Sequence, residues 1–172
     1  GQEVLDIDHP PVILSQIDLP LPLVAAAVGV TTIGGTRYAV VAADAVELTN
    51  PALTIPDQPC VLLVNVTNSA VPVLLGDYSA QTMGIGRAAI EGTPTVVAVE
   101  GDFALVGTED AGVYGISLAD PANPVVVNHR ADFSGVVPAV RSIQLGKGTA
   151  HIGTDSGLYV VDTRTAALNI VK

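Results

Sequence analysis

The sequence predicts an all-β fold built of β-propeller-type blades, each of four antiparallel strands. Three observations carry that reading: an apolar composition almost free of aromatic rings, a strand–turn–strand segment that recurs along the chain, and Pro or Gly punctuation that leaves no stretch with helical periodicity. Of the 172 residues 49% are apolar but only 3% aromatic. The core is therefore built from Val, Leu, Ile and Ala, and Val is the residue best suited to a pleated, half-buried surface. This length is one domain's worth of chain, so 1–172 is read as a single domain.

Taken in chain order, the recurring segment reads VLDIDHPPVILS from Val4, LVNVTNSAVPVLLG from Leu63, GISLADPANPVVVN from Gly115 and VVDTRTAALNIV from Val160. Each is apolar, small polar, apolar, then a turn, then a second apolar run. The anchor position is Asp6, Asn65, Ser117 and Asp162, with spacings of 59, 52 and 45 residues. The excess over the shortest spacing falls in Asp44 to Gln58 and Ser79 to Gly92, both read as loop insertions. Between the anchors, TVVAVEGDFALVGTEDAG from Thr95 matches RSIQLGKGTAHIGTDSG from Arg141, and AAAVGVTTIGGTRYAVVAAD from Ala25 is a longer version. In each, two strands flank a Gly turn.

A period of roughly 45 residues made of four short strands is the signature of a propeller blade, which buries its faces only against its neighbours. A β-sandwich is the alternative, but a sandwich has no reason to repeat its sequence. Counting the strand after each turn as the first of a blade and the anchor strand as the last gives blades at 9–68, 69–120 and 121–163. Strands 3–8 and 167–172 are then left over.

The stretches GVYGISLADPANPVVV and GLYVVDTRT resemble the LVIVD repeat, in which Gly-Leu, an aliphatic strand and Asp lead into a turn of the Asn-Pro-x-x-Pro kind. The pattern is full at Gly112 to Val127 and partial at Val61 to Leu75, where Asn65 replaces the Asp. At Leu5 to Leu14 the turn is shortened to His9-Pro-Pro, and the last copy lacks the Pro turn. The resemblance implies a β-propeller domain of bacterial and archaeal exported or surface proteins, a family without a common catalytic site. Three blades are fewer than the usual four to eight. Open blades leave apolar faces and strand edges uncovered, which proteins avoid by pairing or covering them. The expectation is therefore that the leftover strands, with Val4, Leu5 and Ile7 at one end and Leu168, Ile170 and Val171 at the other, pair with further copies of the chain to give an oligomer or filament.

A formal net charge of -10 disfavours nucleic acid and anionic membrane surfaces as partners. The most apolar stretch, Leu19 to Val30, carries Pro20 and Pro22 and is too short for a spanning helix. Cys60, the single cysteine, lies in an apolar run and reads as a small buried hydrophobe. The chain starts Gly1-Gln2-Glu3 and is expected to be a processed exported protein or an excised piece.

Gly107-Thr-Glu-Asp-Ala-Gly and Gly153-Thr-Asp-Ser-Gly occupy the same turn in two blades. Their carboxylates Glu109, Asp110 and Asp155 are candidate Ca²⁺ ligands, against the plainer reading that Asp and Gly satisfy a tight hairpin. The anchors Asp6, Asn65, Ser117 and Asp162 are expected to bond the backbone of the turn that follows. His9, His129 and His151 have no partners at metal-ligand spacing. Gly84-Ile-Gly-Arg-Ala-Ala matches a loose dinucleotide fingerprint that needs a following helix, which Pro94 forbids. Asn65-Val-Thr67 fits a glycosylation sequon inside an expected strand. No cofactor and no catalytic set is expected. The functional expectation is a non-enzymatic exported structural module, with a propeller binding a sugar or small molecule as the alternative, weakened by the absence of Trp.

Overall fold

The computed structural model describes residues 13–19, 23–45, 58–76, 86–164 and 168–171. Among them the chain forms three antiparallel sheets, none closed into a barrel, stacked in chain order. The first contains β1 (Leu23–Ile33), β2 (Thr36–Ala45), β3 (Cys60–Asn65), β4 (Val73–Leu74) and β5 (Arg87–Ala89). β4 pairs with β3 at Val64 and Asn65, and β5 pairs with it at Cys60 to Leu62. The two are halves of one outer strand, so this sheet also has four rows.

The second sheet is β6 (Pro94–Glu100), β7 (Phe103–Thr108), β8 (Val113–Ser117) and β9 (Val125–Arg130). The third is β10 (Val140–Gly146), β11 (Thr149–Thr154), β12 (Gly157–Asp162) and β13 (Asn169–Ile170). These are the blades the sequence predicts, three sheets where a sandwich has two.

Local chemistry makes each meander. Gly34 and Gly35, at φ 57° and 83°, form the two-residue loop between Ile33 and Thr36, where positive φ at both positions matches the twist of the flanking strands. The first strand of every sheet breaks register near its start, at Ala25/Ala27, Pro94/Val96 and Val140/Ser142. Such bulges increase local twist, and their repetition shows one unit used three times.

Packing follows the alternation of side chains along each strand. Val40, Ala42, Val61 and Leu63 of the first sheet meet Ala104, Val106, Tyr114 and Ile116 of the second. Leu105 and Val113, on the second sheet's other face, meet Val140, Ala150, Ile152 and Val161 of the third. Phe133, in the link between these two sheets, is fully buried in the same cluster.

The blade boundaries 9–68, 69–120 and 121–163 need correcting by one strand. The strand after each anchor turn folds straight back on the anchor strand, β4 and β5 on β3, β9 on β8, β13 on β12, and so ends a sheet rather than starting the next. A repeat has a period but no origin, and hairpin geometry supplies the origin. The C-terminal strand is therefore not left over. Leu168 is fully buried between the second and third sheets, Ile170 pairs with Val161, and the Val171 N–H donates to the Val160 carbonyl at 2.7 Å. The strand of Val4, Leu5 and Ile7 lies outside the described residues.

Ile13 and Leu14, expected in the strand after the first turn, are in no strand and stand exposed. The insertion read as Ser79 to Gly92 is shorter, because Arg87–Ala89 resumes the outer strand. Of the one read as Asp44 to Gln58, the first two residues still belong to β2, and 46–57 lie outside the described residues.

Candidate functional site

Two of the three turn carboxylates, Glu109 and Asp110, are tied into structure rather than gathered. Glu109 receives both arms of Arg141, at 2.6 and 2.9 Å, which links the second sheet's turn to the first strand of the third. Asp110 accepts the Thr93 N–H at 3.1 Å. Asp155 sits in the corresponding turn of the third sheet, where its backbone N–H donates to Ala139. Among the described residues no group of three or more His, Cys, Asp or Glu is placed to hold a metal ion.

What the repeated Gly-Thr motif does is clasp its hairpin. The Thr108 hydroxyl donates to the Gly112 carbonyl and accepts from Ala111, and the Thr154 hydroxyl does the same with Gly157 and Ser156.

The anchors behave as one device in all three sheets. Asn65, Ser117 and Asp162 each accept the backbone N–H two residues on, from Thr67, Ala119 and Arg164. A short polar side chain satisfies the turn locally in each case. At Asp162 the Arg164 guanidinium adds two bonds, of 3.0 and 2.9 Å, and holds the carboxyl below its ordinary range. The sequon residue Asn65 is thus occupied by its own turn.

His129 stacks on Tyr114 with ring centroids 4.1 Å apart and bonds the Ala111 carbonyl, while His151 stands alone on the third sheet; His9 lies outside the described residues. Of the Gly84–Ala89 motif the described residues, 86–89, are turn and strand, not helix, and offer no helix N-terminus to a phosphate. Cys60 is buried, and that burial pushes its thiol up.

The feature that stands out is a surface. β2 and β3 read as nearly unbroken apolar runs, so alternate residues bury on opposite faces. One set packs on the second sheet. The other, Val41, Ala43, Cys60, Leu62 and Val64, forms a separate core on the outer side of the first sheet with Leu23. The bulge after Ala25 puts Val28 and Val30 on this same side, opposite Val41 and Ala39.

The chain covers part of it. Ile17 and Leu19 pack on the cluster from a segment without strand structure, which the Ser15 hydroxyl fastens to the Ser69 carbonyl. Beside that strap runs a groove of about 310 Å³, with Val28, Val41 and Val64 in its wall. Val28 remains 63% exposed and Val30 52%. The sequence carried this signal in the run Cys-Val-Leu-Leu-Val, whose lack of alternation means two buried faces.

The third sheet's outer side differs. Ser142, Gln144 and His151 occupy it beside Leu158, which is 70% exposed. A second groove, of about 320 Å³, lies between the second and third sheets, lined by Asp102, Phe103, Ser117, Asn128, Thr163 and Arg164 among others. The Asn128 carbonyl oxygen is buried against Gly115 without a hydrogen-bond partner.

Comparison with family models finds no match, and comparison with curated proteins finds none. Among solved structures the chain is similar to the crystal structure of the computationally designed Ika8 protein, at a TM-score of 0.51 and 12% identity. The similarity covers 86% of this chain and 35% of that one, so this chain spans about a third of its length. At that identity the likeness is one of fold alone.

Proposed function

We propose that this chain is a non-enzymatic structural module that works by assembling with copies of itself. The observation that carries this reading is the outer side of the first sheet, where Val28 and Val30 stay exposed beside a buried apolar cluster and, among the described residues, a short strap. Exposed apolar residues gathered at one groove, here of about 310 Å³, favour contact with another protein surface. The resemblance of the turn segments to the LVIVD repeat is what supports an exported or cell-surface location.

Sedimentation equilibrium over a range of concentrations tests the reading. A mass rising above the 17.5 kDa of one chain is expected, and a mass constant at that value contradicts it.

A second reading, a module that binds a small polar ligand, rests on the groove between the second and third sheets, whose wall holds Asp102, Asn128 and Arg164. A thermal-shift screen with neutral sugars and polyols tests that one. A ligand that stabilises the parent chain but not Asn128→Ala supports it, and a screen without a shift removes it.

A further inference from the structure

The strap across the outer side of the first sheet is lightly held. Residues 13–19 lie in no strand, and among the described residues no backbone bond ties them to another part of the chain. Ser15, Ile17 and Leu19 are half-buried, while Ile13, Leu14, Gln16 and Asp18 are exposed. Gln16 bonds Asp18 at 3.0 Å rather than the sheet. The attachment is therefore two apolar side chains and one hydroxyl, that of Ser15, on the Ser69 carbonyl.

The sheet beneath it is held on every side. β2 pairs with both β1 and β3, and its other face packs on the second sheet. A segment with few apolar contacts and a water-facing backbone opens at far lower free energy than paired strands do. We infer that the strap is a lid, which lifts from the first sheet while all three sheets stay folded.

The strand register shows what the lid governs. Val28 lies opposite Val41, and Ala39 lies opposite both Val30 and Val64. Val28 and Val30 are exposed with the strap in place, but Val41 and Val64 are only 7% and 3% exposed. The groove of about 310 Å³ is lined by Ser15, Ile17 and Leu19 of the strap and by Val28, Val41 and Val64 of the sheet. Lifting the strap uncovers Val41 and Val64 and joins them to the exposed valines in one apolar strip over three strands. The consequence for assembly rests on the self-assembly reading above: a second copy meets more apolar surface with the lid open, so the closed strap opposes association.

Two chains with one thiol each test the lid at high dilution: the parent, whose Cys60 is not in the groove wall, and Cys60→Ala with Val64→Cys. Urea unfolding certifies each fold, and Val41→Cys replaces Val64→Cys if the latter unfolds. An excess of thiol reagent is expected to label the Val64→Cys chain about tenfold or more faster than Cys60. Adding Ser15→Ala, which frees the strap without opening a hole over the valines, is expected to raise that rate about three- to tenfold, the value of one hydrogen bond, with the urea midpoint nearly unchanged. Equal labelling of the two thiols, or a rate that Ser15→Ala leaves alone, overturns the lid. Sedimentation equilibrium of the parent and of Ser15→Ala reads the consequence, with tighter association of the variant expected. Equal association in both overturns the lid's control of the face and leaves self-assembly standing. Chains that stay single at every concentration overturn self-assembly, while the labelling rates still decide the lid.

Discussion

The first and third sheets share a four-row meander, a bulge near the start of the first strand and a polar anchor that bonds the following turn, yet their outer faces are made differently. On the first, Val41, Ala43, Cys60, Leu62 and Val64 form a core of their own. On the third, the outer side holds Ser142 and Gln144 on its first row, His151 on its second and Leu158 on its third, all open to solvent. The repeat fixes the backbone, and the alternate positions along each strand decide whether a blade is an interior one or a terminal one. By that measure the first sheet resembles the middle sheet, which buries both faces, more than it resembles the third.

The largest expected effect comes from truncating leucine on each outer face. Leu62→Ala removes a fully buried side chain and is expected to cost about 2–5 kcal/mol, the range for cavities in packed cores. Leu158→Ala, at an exposed position, is expected to stay within about 0.5 kcal/mol. Urea unfolding of both variants reads the difference, and equal costs would erase the distinction between the ends.

A smaller effect separates the anchors. Asp162 in the third sheet titrates and Asn65 in the first does not. Arg164 depresses the Asp162 carboxyl, chiefly through its side-chain bonds, so the stability from this pair is present above the ordinary carboxylate range and is lost as pH falls through the lowered value. Asp162→Asn is therefore expected to flatten the stability profile slightly below about pH 4. Asn65→Asp is expected to add a pH dependence in the first sheet where none came from that position. Urea midpoints measured between neutral and acid pH check both.

Much of this was legible in the residues. The three hairpins around Gly34-Gly35, Gly101 and Gly148, and the role of Asn65, Ser117 and Asp162, follow from turn chemistry, which acts over a few residues and so leaves its mark in the local sequence. The difference between the ends shows in the third sheet's first two rows, where Ser-Ile-Gln-Leu and Thr-Ala-His-Ile alternate, but not in its third, where Leu158-Tyr-Val-Val runs as unbroken as Cys-Val-Leu-Leu-Val.

The phase of the repeat was not legible, because the strand from Val125 can pair on either side as far as its own residues say; only the short return from Ser117 puts it on β8. Nor was the strap. Ile17 and Leu19 look like any apolar pair, and their burial depends on a sheet formed by residues far along the chain. The ion pair at one turn carboxylate was not legible for the same reason. Glu109 is claimed by Arg141, a partner 32 residues away that no local pattern announces.

Cys60 offers the most direct measurement, since the chain's single thiol lies on the outer side of the first sheet, inside the cluster in question. A thiol reagent in excess at pH 8, applied to the native chain, should label Cys60 only as fast as the protein unfolds, while a Leu158→Cys thiol in a Cys60→Ala background should react at nearly the rate of a free peptide. Labelling of native Cys60 as fast as that reference would show that the first sheet's outer face is open surface like the third's, and the distinction between the two ends would fall.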